Sequence, residues 1–108
     1  ELFFSPNGVE GQSDPYIVFT VGTNTAKSTV IYKTLNPVWG EEKFELEVPS
    51  VQHDILEVRV YDKDIMKDDV IGRVSISVAE VWQSNGRLKQ SWRLDTKGSI
   101  TLELKLLT

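Results

Sequence analysis

The sequence predicts an all-β protein, an antiparallel Greek-key β-sandwich of about seven strands. Short stretches of β-branched, aromatic or alternating residues recur along the chain, and turn signals separate them about every ten residues. No stretch is long and periodic enough to predict a long helix. Many short strands with regular turns are typical of two packed antiparallel sheets. The 108 residues are expected to form a single domain, residues 1–108, large enough to bury one core.

Seven stretches carry the strand signal. They are residues 15–21, 25–33, 42–48, 55–61, 70–77, 90–94 and 99–106. The first two are rich in β-branched and aromatic residues, and the second is centred on residues 29–32. A turn is predicted at residues 22–24, and the Asn-Pro pair at residues 36–37 favours another, because proline cannot donate to a central ladder. Before them, residues 1–14 hold an apolar start and a loop rich in Pro, Asn, Gly and Ser.

The later strands are identified by alternation. Every second residue is apolar in residues 42–48, 55–61 and 99–106, and the last of these is the clearest case. Within the expected strand 70–77, Val74 and Ile76 alternate with Ser75 and Ser77, and residues 78–82 could form one helical turn. The pairs Asn85-Gly86 and Lys97-Gly98 predict turns around the short strand 90–94.

The most distinctive stretch is the acidic segment Tyr61-Asp62-Lys63-Asp64-Ile65-Met66-Lys67-Asp68-Asp69, with four carboxylates in nine residues. Carboxylates this close repel one another, and Ca²⁺ suits them because it takes six to eight oxygens in irregular loops, whereas Mg²⁺ needs a stricter octahedron. A solvated acidic loop that only keeps the domain soluble is the alternative. If the 62–69 loop and the loop before residue 15 share one end of the sandwich, Asp14 joins Asp62, Asp64 and Asp69.

Composition and charge exclude several function classes. The formal net charge of −4 argues against nucleic acid, whose backbone requires a basic face. The absence of cysteine excludes disulfides and thiolate sites, which fits a reducing compartment or a fold that needs no bridges. No apolar run approaches a membrane span and these residues show no signal-peptide pattern, so membrane contact is expected to be peripheral or made by other parts of a longer protein.

No constellation of catalytic residues stands out. There is no Ser/His/Asp or Cys/His set and no glycine-rich phosphate loop, and His53 is the one histidine in the chain. Paired carboxylates can serve as acid and base in a glycosidase, but they need a saccharide cleft between them, which neighbours on one loop tip do not provide. We therefore expect a binding module and no enzyme.

Six short motifs in order make the sequence resemble a C2 domain, a Ca²⁺- and phospholipid-binding β-sandwich module. They are Ser13-Asp14-Pro15-Tyr16, Lys33-Thr34-Leu35-Asn36-Pro37-Val38-Trp39 with Glu41 or Glu42 and Phe44, Val58-Arg59-Val60-Tyr61-Asp62-Lys63-Asp64, Asp68-Asp69-Val70-Ile71-Gly72, Trp92-Arg93-Leu94 and Gly98-Ser99-Ile100. The resemblance covers residues 13–106. It is greatest to the C2 domains of extended synaptotagmins, tricalbins and related multi-C2 membrane tethers.

The resemblance implies where Ca²⁺ would bind. Asp14, Asp62, Asp64 and Asp69 match the positions of C2 ligands, with the Lys63 carbonyl between two of them. Two further carboxylates are possible ligands, Asp68 and Glu10. The family has an earlier aspartate in the first loop, and Gly8 or Ser5 occupies that position here. We therefore expect the domain to bind fewer Ca²⁺ ions or to bind them with lower affinity.

The resemblance also implies a membrane contact. Ile65 and Met66 would insert between headgroups, or else fold back onto Phe3, Phe4 or a neighbouring loop. Four cations could touch headgroups, with solvated surface as the alternative. They are Lys67, Arg73, Lys27 and Lys33.

The implied function is Ca²⁺-dependent binding to anionic phospholipid membranes, for targeting or tethering. The alternative is a Ca²⁺-independent protein-interaction module that docks a protein partner or a neighbouring domain. The implied location is cytoplasmic and peripheral at membranes, for a tether at contacts of the endoplasmic reticulum or plasma membrane. The type I strand order is expected, with its first strand missing or truncated, so the chain is either a fragment of a longer multidomain protein or gains that strand otherwise.

Overall fold

The structure is a computed structural model that describes residues 2–9, 14–30, 43–63, 69–96 and 98–106. Within these ranges the chain forms eight strands and one short helix. They are β1 (Leu2–Val9), β2 (Pro15–Val21), β3 (Asn24–Lys27), β4 (Phe44–Leu46), β5 (Ile55–Asp62), β6 (Asp69–Ser77), α1 (Val78–Gln83), β7 (Arg87–Arg93) and β8 (Ser99–Leu106). In the described part of the chain no helix is long and apolar enough to cross a bilayer.

The strands form two four-stranded sheets in which every described pairing is antiparallel. Sheet 1 has the order β4-β1-β8-β7, and sheet 2 has the order β3-β2-β5-β6. The predicted antiparallel β-sandwich is therefore confirmed.

The expectation of a missing or truncated first strand is wrong. Leu2–Val9 forms a strand of eight residues that pairs with β8 along its length and with β4 at its start. Its neighbour in the sheet is thus the C-terminal strand β8, whereas the expected type I order would place an earlier strand there. The sequence pattern does not indicate this strand, because proline is rare inside strands. The register of β1 with β8 shifts between Pro6 and Gly8, and this irregularity accommodates the proline.

Other boundaries also differ from the sequence-based expectation. The strand expected over residues 25–33 ends at Lys27, and Thr29 lies outside it. β4 is shorter than residues 42–48, and β7 begins at Arg87 instead of residue 90. The helical turn and the Asn85-Gly86 turn are confirmed, and both turn residues have positive φ, 62° and 81°.

The core lies between the two sheets and comes from the alternating positions. Leu56, Val58 and Val60 of β5 are fully buried, as are three of the inward residues of β8, Ile100, Leu102 and Leu104. Burying a side chain of this size stabilises the fold by about 1.5–3 kcal/mol. β2 contributes its inward residues to the same cluster, which are Ile17, Phe19 and Val21. The strict alternation of the sequence therefore places charged residues on the outer faces.

Candidate functional site

Three aspartates lie at adjacent strand ends of sheet 2. Asp14 precedes β2, Asp62 ends β5, and Asp69 begins β6. In the sheet register Pro15 is opposite Asp62, and Asp62 is opposite Asp69. The backbone N–H of Lys63 donates to the Asp14 carbonyl at 3.0 Å. The two loops therefore share one end of the sandwich, which the sequence could only suggest.

This end concentrates negative charge. Asp62 and Asp69 are directly opposite on neighbouring antiparallel strands, where like charges are destabilising. A register shift between Val60 and Tyr61 adds Ile71 as an extra residue of β6 next to this pair. Bulges of this kind re-aim side chains and recur beside functional sites. Carboxylates crowded in this way have the oxygen-donor chemistry that a hard cation such as Ca²⁺ prefers.

An aromatic stack lies beside the acidic end. The rings of Tyr16 and Tyr61 stack with centroids 5.2 Å apart, and the Lys27 ammonium lies 4.6 Å from the centre of the Tyr16 ring. Tyr16 is opposite Tyr61 in the register, one position from the Pro15–Asp62 pair. An aromatic pair contributes about 0.5–1.5 kcal/mol and an exposed cation–π contact about 0.5–1 kcal/mol. The stack therefore holds β2 and β5 together next to Asp62, and it engages one of the four predicted headgroup cations.

The loop after β7 is fastened to the middle of β6 in sheet 2. The backbone N–H of Arg73 donates to Asp95 Oδ1 at 2.9 Å, and the Asp95 N–H donates to the Arg73 carbonyl at 3.0 Å. The Arg73 guanidinium lies 3.5 Å from Asp95 Oδ2. The hydrogen bond from the Arg73 backbone is the main cause that lowers the pKa of Asp95 below its ordinary value, and the Thr96 hydroxyl adds to it. Arg73, a predicted headgroup cation, is thus paired with Asp95.

Nothing in the sequence signals the contact between Arg73 and Asp95. The two residues are 22 positions apart, and Arg73 lies in sheet 2 whereas Asp95 follows a strand of sheet 1. Gly72 permits their approach, because a Cβ there would lie 2.8 Å from the Leu94 Cβ.

Seven of the thirteen predicted site residues lie outside the described ranges, so their part in the site stays a prediction. They are Glu10, Lys33, Asp64, Ile65, Met66, Lys67 and Asp68. Among the residues that the structure does describe, no group of three or more histidine, aspartate or glutamate side chains is placed to hold a metal ion. The carboxylates of the described residues fit Ca²⁺ in their chemistry.

Residues 4–94 of the chain match the family model of the C2 domain. The chain belongs to the C2 domain family. It is 43% identical to extended synaptotagmin-1 of Rattus norvegicus over 101 residues, which are 93% of this chain and 9% of that protein. Over 77 residues it is 46% identical to the Homo sapiens protein of the same name, covering 71% of this chain and 7% of that protein.

A solved structure described as two C2 domains of extended synaptotagmin 2, calcium bound, is similar with a TM-score of 0.85. It is 30% identical, and the match covers 99% of this chain and 45% of that chain. The expected likeness to extended synaptotagmins is confirmed. This chain spans about a tenth of the length of the curated relatives it matches.

Proposed function

We propose that this C2 domain binds anionic phospholipid membranes in a Ca²⁺-dependent manner, through the acidic loops at one end of its sandwich. The observation that carries the proposal is the register that brings Asp14, Asp62 and Asp69 to the ends of three neighbouring strands. The similarity to a calcium-bound extended synaptotagmin structure supports the same interpretation. Targeting a protein to a membrane, or tethering two membranes, is the proposed use.

The proposed Ca²⁺ ligands are oxygen atoms of the acidic loops. The carboxylates of Asp14, Asp62 and Asp69 and the Lys63 carbonyl would hold the ion together with Asp64, and Asp68 and Glu10 are the possible additions. Bound Ca²⁺ would supply positive charge at this end, and two ions would bring the formal charge of −4 to zero. Without the ion, the same carboxylates repel an anionic leaflet. Each favourable charge near such a surface is worth about 1 kcal/mol.

The apolar tip of the 62–69 loop adds to the membrane contact in this proposal. Ile65 and Met66 follow the ligand positions directly, and Lys67 can meet a phosphate. Apolar side chains beside a neutralised acidic cluster are suited to shallow insertion at the headgroup level.

A Ca²⁺-independent protein-interaction module is the second candidate. It is favoured by the uncharged residue, Gly8 or Ser5, at the expected position of the first-loop acid. In that case the sandwich would dock a protein partner or a neighbouring domain, and Ca²⁺ would change nothing.

Vesicle sedimentation separates the two candidates. At physiological ionic strength, where exposed charges are screened, the unmodified domain should sediment with phosphatidylserine vesicles in millimolar Ca²⁺ and remain largely in solution in EGTA. Asp62→Asn should lose most of the Ca²⁺-dependent fraction, whereas Glu47→Gln, which also neutralises one carboxylate but lies on an exposed loop away from the site, should keep it. Equal sedimentation of the unmodified domain with and without Ca²⁺ would rule out the switch.

Three further expectations belong to this proposal. The domain acts as a binding module without catalysis, it works as one unit of a longer multidomain protein, and it is peripheral at membranes in the cytoplasm. For a tether, the membranes would be those of the endoplasmic reticulum or the plasma membrane.

A further inference from the structure

The outer face of sheet 1 carries a row of cations on β7. Arg87, Lys89 and Arg93 are exposed and share the outward side of this edge strand, and Lys105 of β8 is directly opposite Arg87. Positions 87 and 93 are six residues apart, so the row is roughly 20 Å long at the usual rise per residue of a strand. We refer to these four cations and the strand surface between them as the basic face.

The packing on both sides of β7 fixes the orientation of the basic face. Leu88 and Trp92 point inward, opposite the buried residues Leu104 and Ile100 of β8. The outward position between the cations is occupied by Ser91, and its hydroxyl lies 2.6 Å from that of Thr101 across the strand pair. The residues that alternate with the inward pair, including all three cations of β7, therefore point to solvent.

The charge of this face is opposite to that of the whole chain. On the outward side of β7 and β8 there are four cations and one carboxylate, Glu103, opposite Lys89, which gives a local charge of +3 (4 − 1). The whole chain has a net charge of −4. None of the four cations of the basic face is in an ion pair with another described residue, whereas Arg73 of sheet 2 is paired with Asp95.

We propose that the basic face is a second membrane-binding surface, which contacts anionic phospholipid headgroups without Ca²⁺. Charge complementarity is the first reason, because four cations on an otherwise acidic domain attract a surface of negatively charged headgroups. Continuity is the second. Arg93 ends β7, and the loop that follows it is bonded through Asp95 to Arg73, the fifth of the nine residues of β6, a strand that begins with Asp69. The basic face is therefore linked through this loop to the strand that begins at the acidic end.

The face stands apart from the predicted headgroup cations and from the Ca²⁺ site. Lys27 and Arg73 belong to sheet 2, and the basic face belongs to sheet 1. The inference goes beyond the proposed function and does not rest on it, since it concerns binding in the absence of the ion.

Binding to vesicles in EGTA at low salt tests the proposal. The basic-face variant is Lys89→Gln with Arg93→Gln, and the control variant is Lys43→Gln with Arg59→Gln, two exposed cations that lie outside β7 and β8. Both variants change the net charge from −4 to −6. Each cation near an anionic surface contributes about fivefold to affinity, so the basic-face variant should bind phosphatidylserine vesicles about 25-fold more weakly. The control variant should bind like the unmodified domain, and pure phosphatidylcholine vesicles should bind none of the three.

Three results would overturn the proposal. The first is equal loss in both variants, since binding would then follow net charge alone. The second is the absence of phosphatidylserine binding by the unmodified domain in EGTA. The third is unchanged vesicle binding by the basic-face variant together with lost binding of a glutamate-rich peptide, which would assign the face to a protein partner. The Asp62→Asn variant keeps the two proposals distinct, because it should lose Ca²⁺-dependent sedimentation and retain binding in EGTA.

Discussion

At the scale of single residues, Asp95 fastens the loop after β7 to the other sheet. Its carboxylate accepts from the Arg73 backbone N–H, and this hydrogen bond lowers the pKa of Asp95 below the ordinary 3.8. A carboxyl whose pKa is lowered in the folded state contributes stability above its unfolded pKa and loses it as pH falls through the folded value.

The first prediction follows from this shift. The unmodified domain should be more stable than Asp95→Asn at neutral pH, and the difference should shrink as pH falls below about 3.8. Urea unfolding of both proteins between pH 7 and pH 2 measures it. A difference that stays constant over this range would show that ionisation of Asp95 does not stabilise the fold.

Gly72 carries the second prediction at this scale. Gly72→Ala places a methyl group 2.8 Å from the Cβ of Leu94, which is buried and cannot move away freely. Overpacking of this kind costs about 1–3 kcal/mol, measured as a loss in the free energy of unfolding. The control is Gly22→Asn, at a position with φ of 59° and open space around it, where asparagine tolerates the left-handed conformation. A Gly72→Ala variant as stable as this control would contradict the close contact.

At the scale of elements, Ser28 fastens β3 to β2 beyond the end of the strand. Its backbone N–H donates to the Ile17 carbonyl at 2.9 Å, and its hydroxyl accepts from the Ile17 N–H at 2.8 Å. Ser28 is 5% exposed, and Ile17 is fully buried. Ser28 therefore extends the pairing of β3 with β2 by one side-chain and one backbone hydrogen bond to Ile17, three residues after Asp14.

The third prediction is that Ser28→Ala destabilises the domain by about 1–3 kcal/mol, because it leaves the buried Ile17 N–H without its acceptor. Ser28→Thr keeps a hydroxyl and should recover part of the loss, and Ser91→Ala on an exposed strand pair should cost less. Chemical denaturation measures all three. If Ser28→Ala and Ser91→Ala lower the free energy of unfolding equally, the buried hydrogen bond stabilises the domain no more than the exposed one.

Strict alternation predicts where a strand lies, although β4 is shorter than the alternating residues 42–48. The bounds of β8 are the predicted ones, and those of β5 and β6 differ by one residue at one end. The sequence pattern does not predict the start of β7, because the polar Gln90 occupies an inward position and interrupts the alternation. The sequence pattern predicts the centre of β3 several residues too far along the chain, because the β-branched residues Thr29 and Val30 follow the strand. The structure places neither of them in a strand.

The candidate site was predictable in its residues and not in its contacts. The spacing of Asp62 and Asp69 around one loop is local, so the sequence shows it. The approach of Asp14 to Lys63 depends on the pairing of β2 with β5, which residue periodicity does not specify. The bond between Arg73 and Asp95 depends on the packing of two sheets, and no local pattern encodes it.

At the scale of the whole molecule, charge is divided between two surfaces. The acidic end of sheet 2 holds Asp14, Asp62 and Asp69, and the outer side of β7 and β8 carries a local charge of +3 (four cations and Glu103). Salt should act on the two surfaces differently, because exposed charges are screened within about 10 Å at 0.1 M ionic strength. Binding through the basic face should therefore weaken steeply with salt, while coordination of an ion in the loops should depend on salt less.

The last prediction concerns the stability of the whole domain in Ca²⁺. An ion that binds only the folded state stabilises it by about 2.7 kcal/mol at a free concentration one hundred times Kd. For a domain of 108 residues this raises Tm by roughly 10 °C. Differential scanning calorimetry in EGTA and in millimolar Ca²⁺ measures the shift. Asp62→Asn with Asp64→Asn should remove it, and Glu47→Gln should leave it intact. A shift that persists in the double variant would mean that other residues bind the ion. The absence of a shift in the unmodified domain, together with vesicle binding that Ca²⁺ does not change, would favour the protein-interaction module, because a ligand that fails to stabilise the folded state does not bind it.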